Sequence, residues 1–420
     1  MNISLEEVLS MYRMGQEEVD AVARVVKSGE LFRIASKNHE VDNFEKELAE
    51  KVGVEYALFL TGGTTALLTG LMGLGVGPGD EVIVPAYTFM ASAMAVIAVG
   101  AIPVIAECDE TLGLDPDDIE RKISPHTKAI IPVHMLGLPC DMDRIMDVAN
   151  RHGLKVMEDS CQAVGGSYKG KRLGTIGHAG AYSFNYYKVI SCGEGGALLT
   201  NDRNVFEVAV YQHDGGSAFR DDYVELNRDK YEDKDTNSLY PIYDKYKIPV
   251  FAGIQCRQSE INGAFMRVQL ERLDGILADL RRAKKQIIEA VSHVSKLQLL
   301  KSNDPDGDCG THLGFTFPDE DKARQFASSE GVNGGLPIDS GRHVYTNWVP
   351  ITNKRGAYHH LMNPFENPKN QGLNANYDKS VCPLTLDYLK RTVAIAMNPD
   401  WTEDQVQNKI DSIILAAKNL

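Results

Sequence analysis

The sequence predicts an α/β protein in which a mostly parallel sheet is covered by helices. Three observations lead there. Short, nearly continuous apolar runs recur at 56–60, 81–85, 102–107, 129–133 and 155–158, the pattern of strands buried on both faces. Segments of helical spacing fit between them, at 64–74, 88–99, 116–123 and 142–152, which makes the connections crossovers. Small or chemically capable residues follow directly after the runs, at the strand ends where such sheets bind ligands.

Taken in order, residues 1–52 read as helical, with Val19, Val22, Val25 and Val26 in phase, then Phe44 and Leu48. Gly29 breaks the pattern, and 31–40 crosses the surface as a loop. The alternating region follows and runs to a helix ending near Tyr211. Residues 215–250 are polar and aromatic, with Arg220, Arg228, Tyr231, Tyr240, Tyr243 and Tyr246. A segment of that length without a period reads as a lid or binding loop, or as a surface excursion. A long helix at 270–294 carries Arg272, Arg281, Arg282, Lys284 and Lys285 on one side and leads into a smaller α/β unit. Met397-Asn398-Pro399 steps into a final amphipathic helix. The expected division is 1–275 for the N-terminal helices and large domain, and 276–420 for a small C-terminal domain. Its 420 residues amount to roughly two or three domains' worth of chain.

Composition excludes several classes. The net charge of -14, from 44 basic and 58 acidic residues, argues against a nucleic-acid or anionic-membrane partner. No apolar run approaches the ~20 residues of a membrane span, and the acidic N-terminus lacks the apolar core of a signal peptide. Seven scattered cysteines contain no C-x-x-C pair. They read as reduced thiols in a cytoplasmic protein, with no metal site.

The chemistry gathers after the strands. Leu60-Thr61-Gly62-Gly63-Thr64-Thr65 leads straight into a helix. Small residues at a helix N-terminus leave N–H groups free for a phosphate, although Thr64 also suits an ordinary N-cap. Pro85-Ala86-Tyr87-Thr88-Phe89 offers aromatic rings that either meet a flat ligand or fill the core. His134 ends the fourth run as a cleft residue or a satisfied core histidine. Asp159, in Glu158-Asp159-Ser160-Cys161-Gln162-Ala163, is a strand-end carboxylate that needs a cationic partner or caps a helix.

At the centre lies 181–201, AYSFNYYKVISCGEGGALLTN. Two strand-like pieces enclose Lys188 and a Gly-Glu-Gly-Gly turn at 193–196. Glycines there permit close backbone approach, and a confined lysine becomes a nucleophile toward carbonyls. A lysine taken alone is more often an ordinary surface-loop residue. A phosphate cradle, an aromatic plate, a carboxylate and a lysine at one sheet edge are together what pyridoxal 5'-phosphate (PLP) requires.

These stretches resemble the DegT/StrS family of PLP-dependent sugar aminotransferases, of fold type I. The likeness rests on 61–67, 85–91, 158–163, 183–196 and 253–273, in family order, with Ser-Phe-x3-Lys-x4-Gly-Glu-Gly-Gly the most specific part. The resemblance implies that Lys188 forms the Schiff base and Asp159 pairs with the pyridine nitrogen. Gln162 would contact the ring hydroxyl and Phe89 would stack on the ring, while Gly63, Thr64 and Ser183 hold the phosphate. It also implies a homodimer with shared sites, reached by an asparagine in G-x-N-x-R-x-S-E. Here Gln255 stands in that place, one methylene longer. The family's dehydratase branch has histidine where this chain keeps Lys188, which favours transamination.

The substrate side is expected at Arg220 and in 334–376, where Arg342, His343, Tyr345 and Trp348 could meet a hydroxyl-rich or carboxylated molecule. Trp348 could equally pack between domains. The expected reaction moves an amino group, most simply from L-glutamate, to a keto- or aldehydo-sugar, with PMP as the intermediate cofactor form. Stretches at 106–112, 165–170 and 259–262 are similar to the branch that aminates C8 of an oxidised 3-deoxy-octulosonate for lipopolysaccharide. A nucleotide-linked 4-keto- or 3-keto-6-deoxy sugar and a cyclitol ketone are the competing acceptors. A PLP-binding regulator without enzyme activity is the alternative of a different class, though no DNA-binding module is evident.

Overall fold

The computed structural model describes residues 13–34, 36–214 and 251–420. The expected lid at 215–250 lies outside the described residues. Two helices come first, α1 (Gln16–Ser28) and α2 (Glu40–Val52), separated by a loop near the expected bounds. That loop is pinned from far along the chain. The buried carboxylate of Glu260 accepts from Glu40 N at 2.8 Å, Val41 N at 3.2 Å and Ser36 Oγ at 3.0 Å.

The alternating region then delivers β1 (Tyr56–Leu60), β2 (Glu81–Pro85), β3 (Ile102–Ala106), β4 (Thr127–Ile130) and β5 (Lys155–Asp159). Between them lie α3 (Gly63–Gly73), α4 (Ala91–Ala98), α5 (Pro116–Lys122) and α6 (Met142–His152). A two-stranded hairpin, β6 (Ser167–Tyr168) and β7 (Lys171–Arg172), precedes β8 (Ala179–Ser183) and β9 (Gly196–Thr200). Seven of these strands form one sheet in the order β1-β9-β8-β5-β4-β2-β3. Only β9 runs against its neighbours, so the sheet is mostly parallel, as the crossovers predict.

Strand alternation sorts side chains into two layers. Phe59, Ile83, Val156 and Leu199 join a core with α2, α6 and the long helix α8 (Glu260–Val291). Leu58, Val82, Val84, Met157 and Leu198 join the opposite core with α3, α4 and α7 (Arg203–His213). Helices on both faces leave only the strand ends open, which is why the chemistry collects there.

Two expectations shift. The strand expected at 129–133 ends at Ile130, and Val133 makes only an isolated bridge to Asp159. The helix expected from residue 88 starts at Ala91, and the N–H groups of Thr88 and Met90 just before it are bound by His343 O (2.9 Å) and Arg342 O (3.1 Å). A segment some 250 residues away thus ties down the lead-in to α4.

α8 runs unbroken through residue 275. Beyond it, β10 (Gln298–Leu299), β11 (His312–Thr316), β12 (Gly334–Gly335) and β13 (Thr392–Ala396) make a second, antiparallel sheet in the order β10-β11-β13-β12. It is accompanied by α9 (Glu320–Ala327), α10 (Val349–Thr352), α11 (Pro383–Arg391) and α12 (Glu403–Lys418). Residues 336–382 fold as successive short turns that return to the outer edge of the large sheet. Asn370 bridges Gly79 N (2.6 Å) and Gly100 O (2.9 Å), and Tyr377 donates to Pro103 O at 2.9 Å. Among the described residues no helix is long and apolar enough to cross a membrane.

Candidate active site

β1, β2, β5 and β8 end at the same edge, and the next residues converge. At the end of β1 the chain turns into α3. Thr65 Oγ1 accepts from Gly62 N at 3.0 Å and donates to Gly62 O at 2.7 Å. The N–H groups of Gly63 and Thr64 find no acceptor among the described residues. Gly63 has no room for a side chain, since a Cβ there would lie 2.6 Å from Cys161 Sγ and 3.0 Å from Ser183 Cβ. Gly196 is equally confined, its Cβ position falling 2.5 Å from Gly63 N. The Gly-Glu-Gly-Gly turn therefore packs against the β1–α3 turn, and two distant glycine motifs form one cradle. Ser183 lies in it buried, and Thr64 is exposed at its rim.

At the end of β5, Glu158 and Asp159 point to opposite sides. Glu158 is fully buried and accepts from the N–H groups of Gly174 (2.8 Å), Ile176 (2.6 Å) and Gly177 (2.5 Å). His134 Nε2 sits 3.2 Å from the same carboxylate, while His134 Nδ1 accepts from Cys140 N at 3.1 Å. His134 is thus a satisfied core histidine. Asp159, also buried, accepts from Cys161 N at 3.2 Å and from Ser92 Oγ at 2.7 Å. Gln162 Oε1 accepts from Leu136 N at 3.2 Å, and its Nε2 has no acceptor among the described residues.

Lys188 lies on the β8–β9 connection, half-buried, its N–H held by Asn185 O at 3.0 Å. Its charge reaches both Cys161 and His343. Burial pushes the Cys161 thiol well up, Asp159 adds to this, and Lys188 opposes it. His343 is held below its ordinary value, first by burial and further by Lys188 and Arg342, against a contribution from Ser340 O. Lys188 therefore lies within electrostatic reach of Cys161, whose N–H binds Asp159, and of His343.

That segment lies beside the end of β2. Phe89 is 38% exposed, so one face remains open. The His343 ring centroid is 5.4 Å from that of Phe89, and the Arg342 guanidinium carbon lies 5.7 Å from the Phe89 centroid. Arg342 is exposed and pairs with no carboxylate among the described residues. Its carbonyl, in contrast, is fixed by Met90 N and by Trp348 Nε1 at 2.9 Å.

Sequence reasoning overreached at Tyr345, while the packing alternative for Trp348 is the one the structure shows. Tyr345 is fully buried, donates to Lys379 O at 2.6 Å and accepts from Cys382 N at 3.2 Å. Its hydroxyl is committed to the fold instead of facing a substrate. Trp348 is fully buried and serves as the peg that holds Arg342. Arg220 lies outside the described residues. Gln255 is exposed, next to Cys256, whose carbonyl accepts from Thr61 N at 3.0 Å beside the cradle. Two residues were missed. Cys161 lies within the cluster, and Ser92 stands one helical turn after Thr88, a spacing that could have flagged it.

The sequence profile of the DegT/DnrJ/EryC1/StrS aminotransferase family matches residues 12–325. The chain belongs to this family. Members of the DegT/DnrJ/EryC1/StrS family use PLP, and this chain is a PLP-dependent aminotransferase of fold type I. It is 32% identical over 410 residues to the spore coat polysaccharide biosynthesis protein SpsC of Bacillus subtilis (strain 168), covering 96% of this chain and 95% of that one. It is 39% identical over 250 residues to the GDP-perosamine synthase of Caulobacter vibrioides, 59% of this chain and 61% of the relative. Among solved structures, an aminotransferase from Psychrobacter cryohalolentis superposes with a TM-score of 0.76 at 27% identity, covering 97% and 98% of the two chains. 3-Amino-5-hydroxybenzoic acid synthase does so with 0.74 at 25%, with the same coverage. Relatives of this kind support an aminotransferase of amino-sugar biosynthesis.

The residues present fit the cofactor. The uncapped N–H groups at Gly63 and Thr64 suit a phosphate, the open face of Phe89 suits a ring, and Asp159 retains lone pairs toward the cluster.

Proposed function

We propose that the chain transfers an amino group from L-glutamate to a keto- or aldehydo-sugar that carries an anionic group. The single observation behind this reading is Arg342, a cation without a carboxylate partner among the described residues, held over Phe89 and acting on His343 together with the charge of Lys188. A transaminase uses one site for donor and acceptor in turn. A guanidinium there can receive the carboxylate of either through paired hydrogen bonds.

In this reading Gly63, Thr64 and Ser183 hold the cofactor phosphate, Phe89 covers the ring, Asp159 meets the ring nitrogen and Gln162 Nε2 donates to the ring oxygen. When bound, PLP supplies the electron sink for the carbon that loses or gains the amine. Lys188 Nζ removes and returns the proton at that carbon. His343 keeps Nδ1 against Ser340 O at 3.0 Å, so its Nε2 lone pair accepts from a sugar hydroxyl. The acceptor that best uses a carboxylate contact is an 8-oxo-3-deoxy-octulosonate, which would place the enzyme in surface-polysaccharide synthesis.

A nucleotide-linked keto-6-deoxy sugar is the second reading, favoured by the resemblance to GDP-perosamine synthase and, at 37% identity over 273 residues, to a dTDP-3-amino-3,4,6-trideoxy-α-D-glucose transaminase of Streptomyces venezuelae. A cyclitol ketone follows, from likeness to a 2-deoxy-scyllo-inosose aminotransferase of Streptomyces kanamyceticus.

The enzyme is further proposed to work as a homodimer in which Gln255 reaches the partner's phosphate cradle. Its residues 1–275 would act as the large domain and 276–420 as the small one, in the cytoplasm. Seven free cysteines agree with a reducing compartment.

Glutamate should discharge the visible absorbance of the PLP-loaded protein, and Lys188→Ala should not respond. Incubation of the glutamate-treated protein with each acceptor class, followed by mass spectrometry, then identifies the aminated product. Amination of the cyclitol alone would sink the anionic-acceptor reading. Sedimentation as a single chain at working concentration would sink the shared site.

A further inference from the structure

We propose that Ser92, backed by Thr88, is a positioning residue that fixes the carboxylate of Asp159 toward the cofactor ring. The inference rests on the reading of Asp159 given above and extends it to residues that do not touch the cofactor.

All three side chains are buried, at 5% exposure for Asp159, 0% for Ser92 and 1% for Thr88. A carboxylate withdrawn from water this far needs donors to keep it in place. Asp159 has one for each oxygen, Cys161 N on Oδ1 at 3.2 Å and Ser92 Oγ on Oδ2 at 2.7 Å. The hydroxyl contact is the shorter and comes from a different element, the first turn of α4. Of the roughly four lone-pair positions of a carboxylate, the remaining ones stay available to the ring nitrogen.

The direction of the chain of hydroxyls follows from proton counting. Ser92 has one hydroxyl proton, and the ionised carboxylate can only accept. Ser92 therefore donates to Asp159, and the Thr88 hydroxyl, 2.8 Å from Ser92 Oγ, must donate to Ser92. Their alternatives, both to Phe89 O, are longer at 3.3 and 3.5 Å. Hydrogen bonds aligned in this sense reinforce one another. Thr88 is itself anchored, its N–H bound to His343 O at 2.9 Å. One turn of chain thus presents the Phe89 ring and braces Asp159, which sets the spacing between the stacking face and the carboxylate.

The test uses full-length protein stripped of PLP and titrated with PLP, read by the cofactor's visible absorbance. Ser92→Ala should bind PLP roughly tenfold more weakly, the size expected for a lost hydrogen bond to a charged group. Ser92→Thr should restore binding. In an Asp159→Asn background Ser92→Ala should add little, as expected for residues acting as a unit. Unchanged or tighter binding by Ser92→Ala, or a full additional loss on top of Asp159→Asn, overturns the proposal. Should Asp159→Asn itself leave affinity and spectrum untouched, the reading of Asp159 fails first and takes Ser92 with it. If Ser92→Ala does not fold, Thr88→Val retains the Ser92 hydroxyl and should weaken PLP about two- to threefold; no change there overturns the relay.

Discussion

At the scale of single residues, the cluster divides into groups held rigidly and groups left free. Asp159, Gln162 and the Arg342 backbone are tied by named hydrogen bonds, whereas the Arg342 guanidinium and Lys188 Nζ pair with no carboxylate among the described residues. That asymmetry suits a site whose mobile groups meet the substrate. Arg342→Ala should raise KM for the carboxylated substrate about tenfold, with a smaller change in kcat, because a paired contact to a carboxylate is lost. Arg342→Lys should recover only part of this, since an ammonium lacks the planar fork. Steady-state kinetics with glutamate and with the acceptor separates the two substrates, and an unchanged KM for both would remove Arg342 from the site. The positions of Lys188 and Asp159 were legible in the sequence because Asp159 closes the apolar run of β5 and Lys188 lies in the connection between two such runs, β8 and β9. Tyr345 was misread because an aromatic hydroxyl in a polar run looks the same whether it meets a substrate or, as here, Lys379 O and Cys382 N.

Among elements, the most consequential contact joins β3 to α11. The Glu107 carboxylate, 5% exposed, accepts from Leu384 N at 3.0 Å, Thr385 N at 2.8 Å and Thr385 Oγ1 at 2.5 Å. Negative charge at a helix N-terminus is favourable, and this one also binds the C-terminal part of the chain to the large sheet. Glu107→Ala leaves the buried N–H and hydroxyl of Thr385 without this acceptor, which should destabilise the protein by about 2–3 kcal/mol. Urea unfolding measures this, and a cost below ~0.5 kcal/mol would show that the cap is dispensable. The elements themselves were largely readable, since apolar runs and helical spacing report burial directly. The start of α4 was not, and the backbone contacts of Thr88 and Met90 with His343 and Arg342 leave no local trace either.

For the whole molecule, stability should depend on pH through a half-buried histidine. His312, in β11, is held down to about 4, first by burial and then by the charge of Lys284, against a backbone contact with Leu136. An unfolded histidine titrates near ~6.5. Between those values the unfolded chain binds a proton that the native one refuses, so stability is intact above about 6.5 and falls as pH drops toward 4. The slope is at most about 1.4 kcal/mol per pH unit. Urea midpoints at pH 7 and 5.5 should differ more in the parent than in His312→Gln, and equal differences would refute the assignment. The strand order carries a different consequence. β1 is hydrogen-bonded in the large sheet only to β9, which lies about 140 residues later. At ribosomal speeds of roughly 5–20 residues per second, the first strand emerges and waits several seconds for its partner. The last strand of the large sheet to be synthesised is also the one that closes the Lys188 hairpin, so a nascent chain cut short before Gly196 has the lysine but not the cradle beside it.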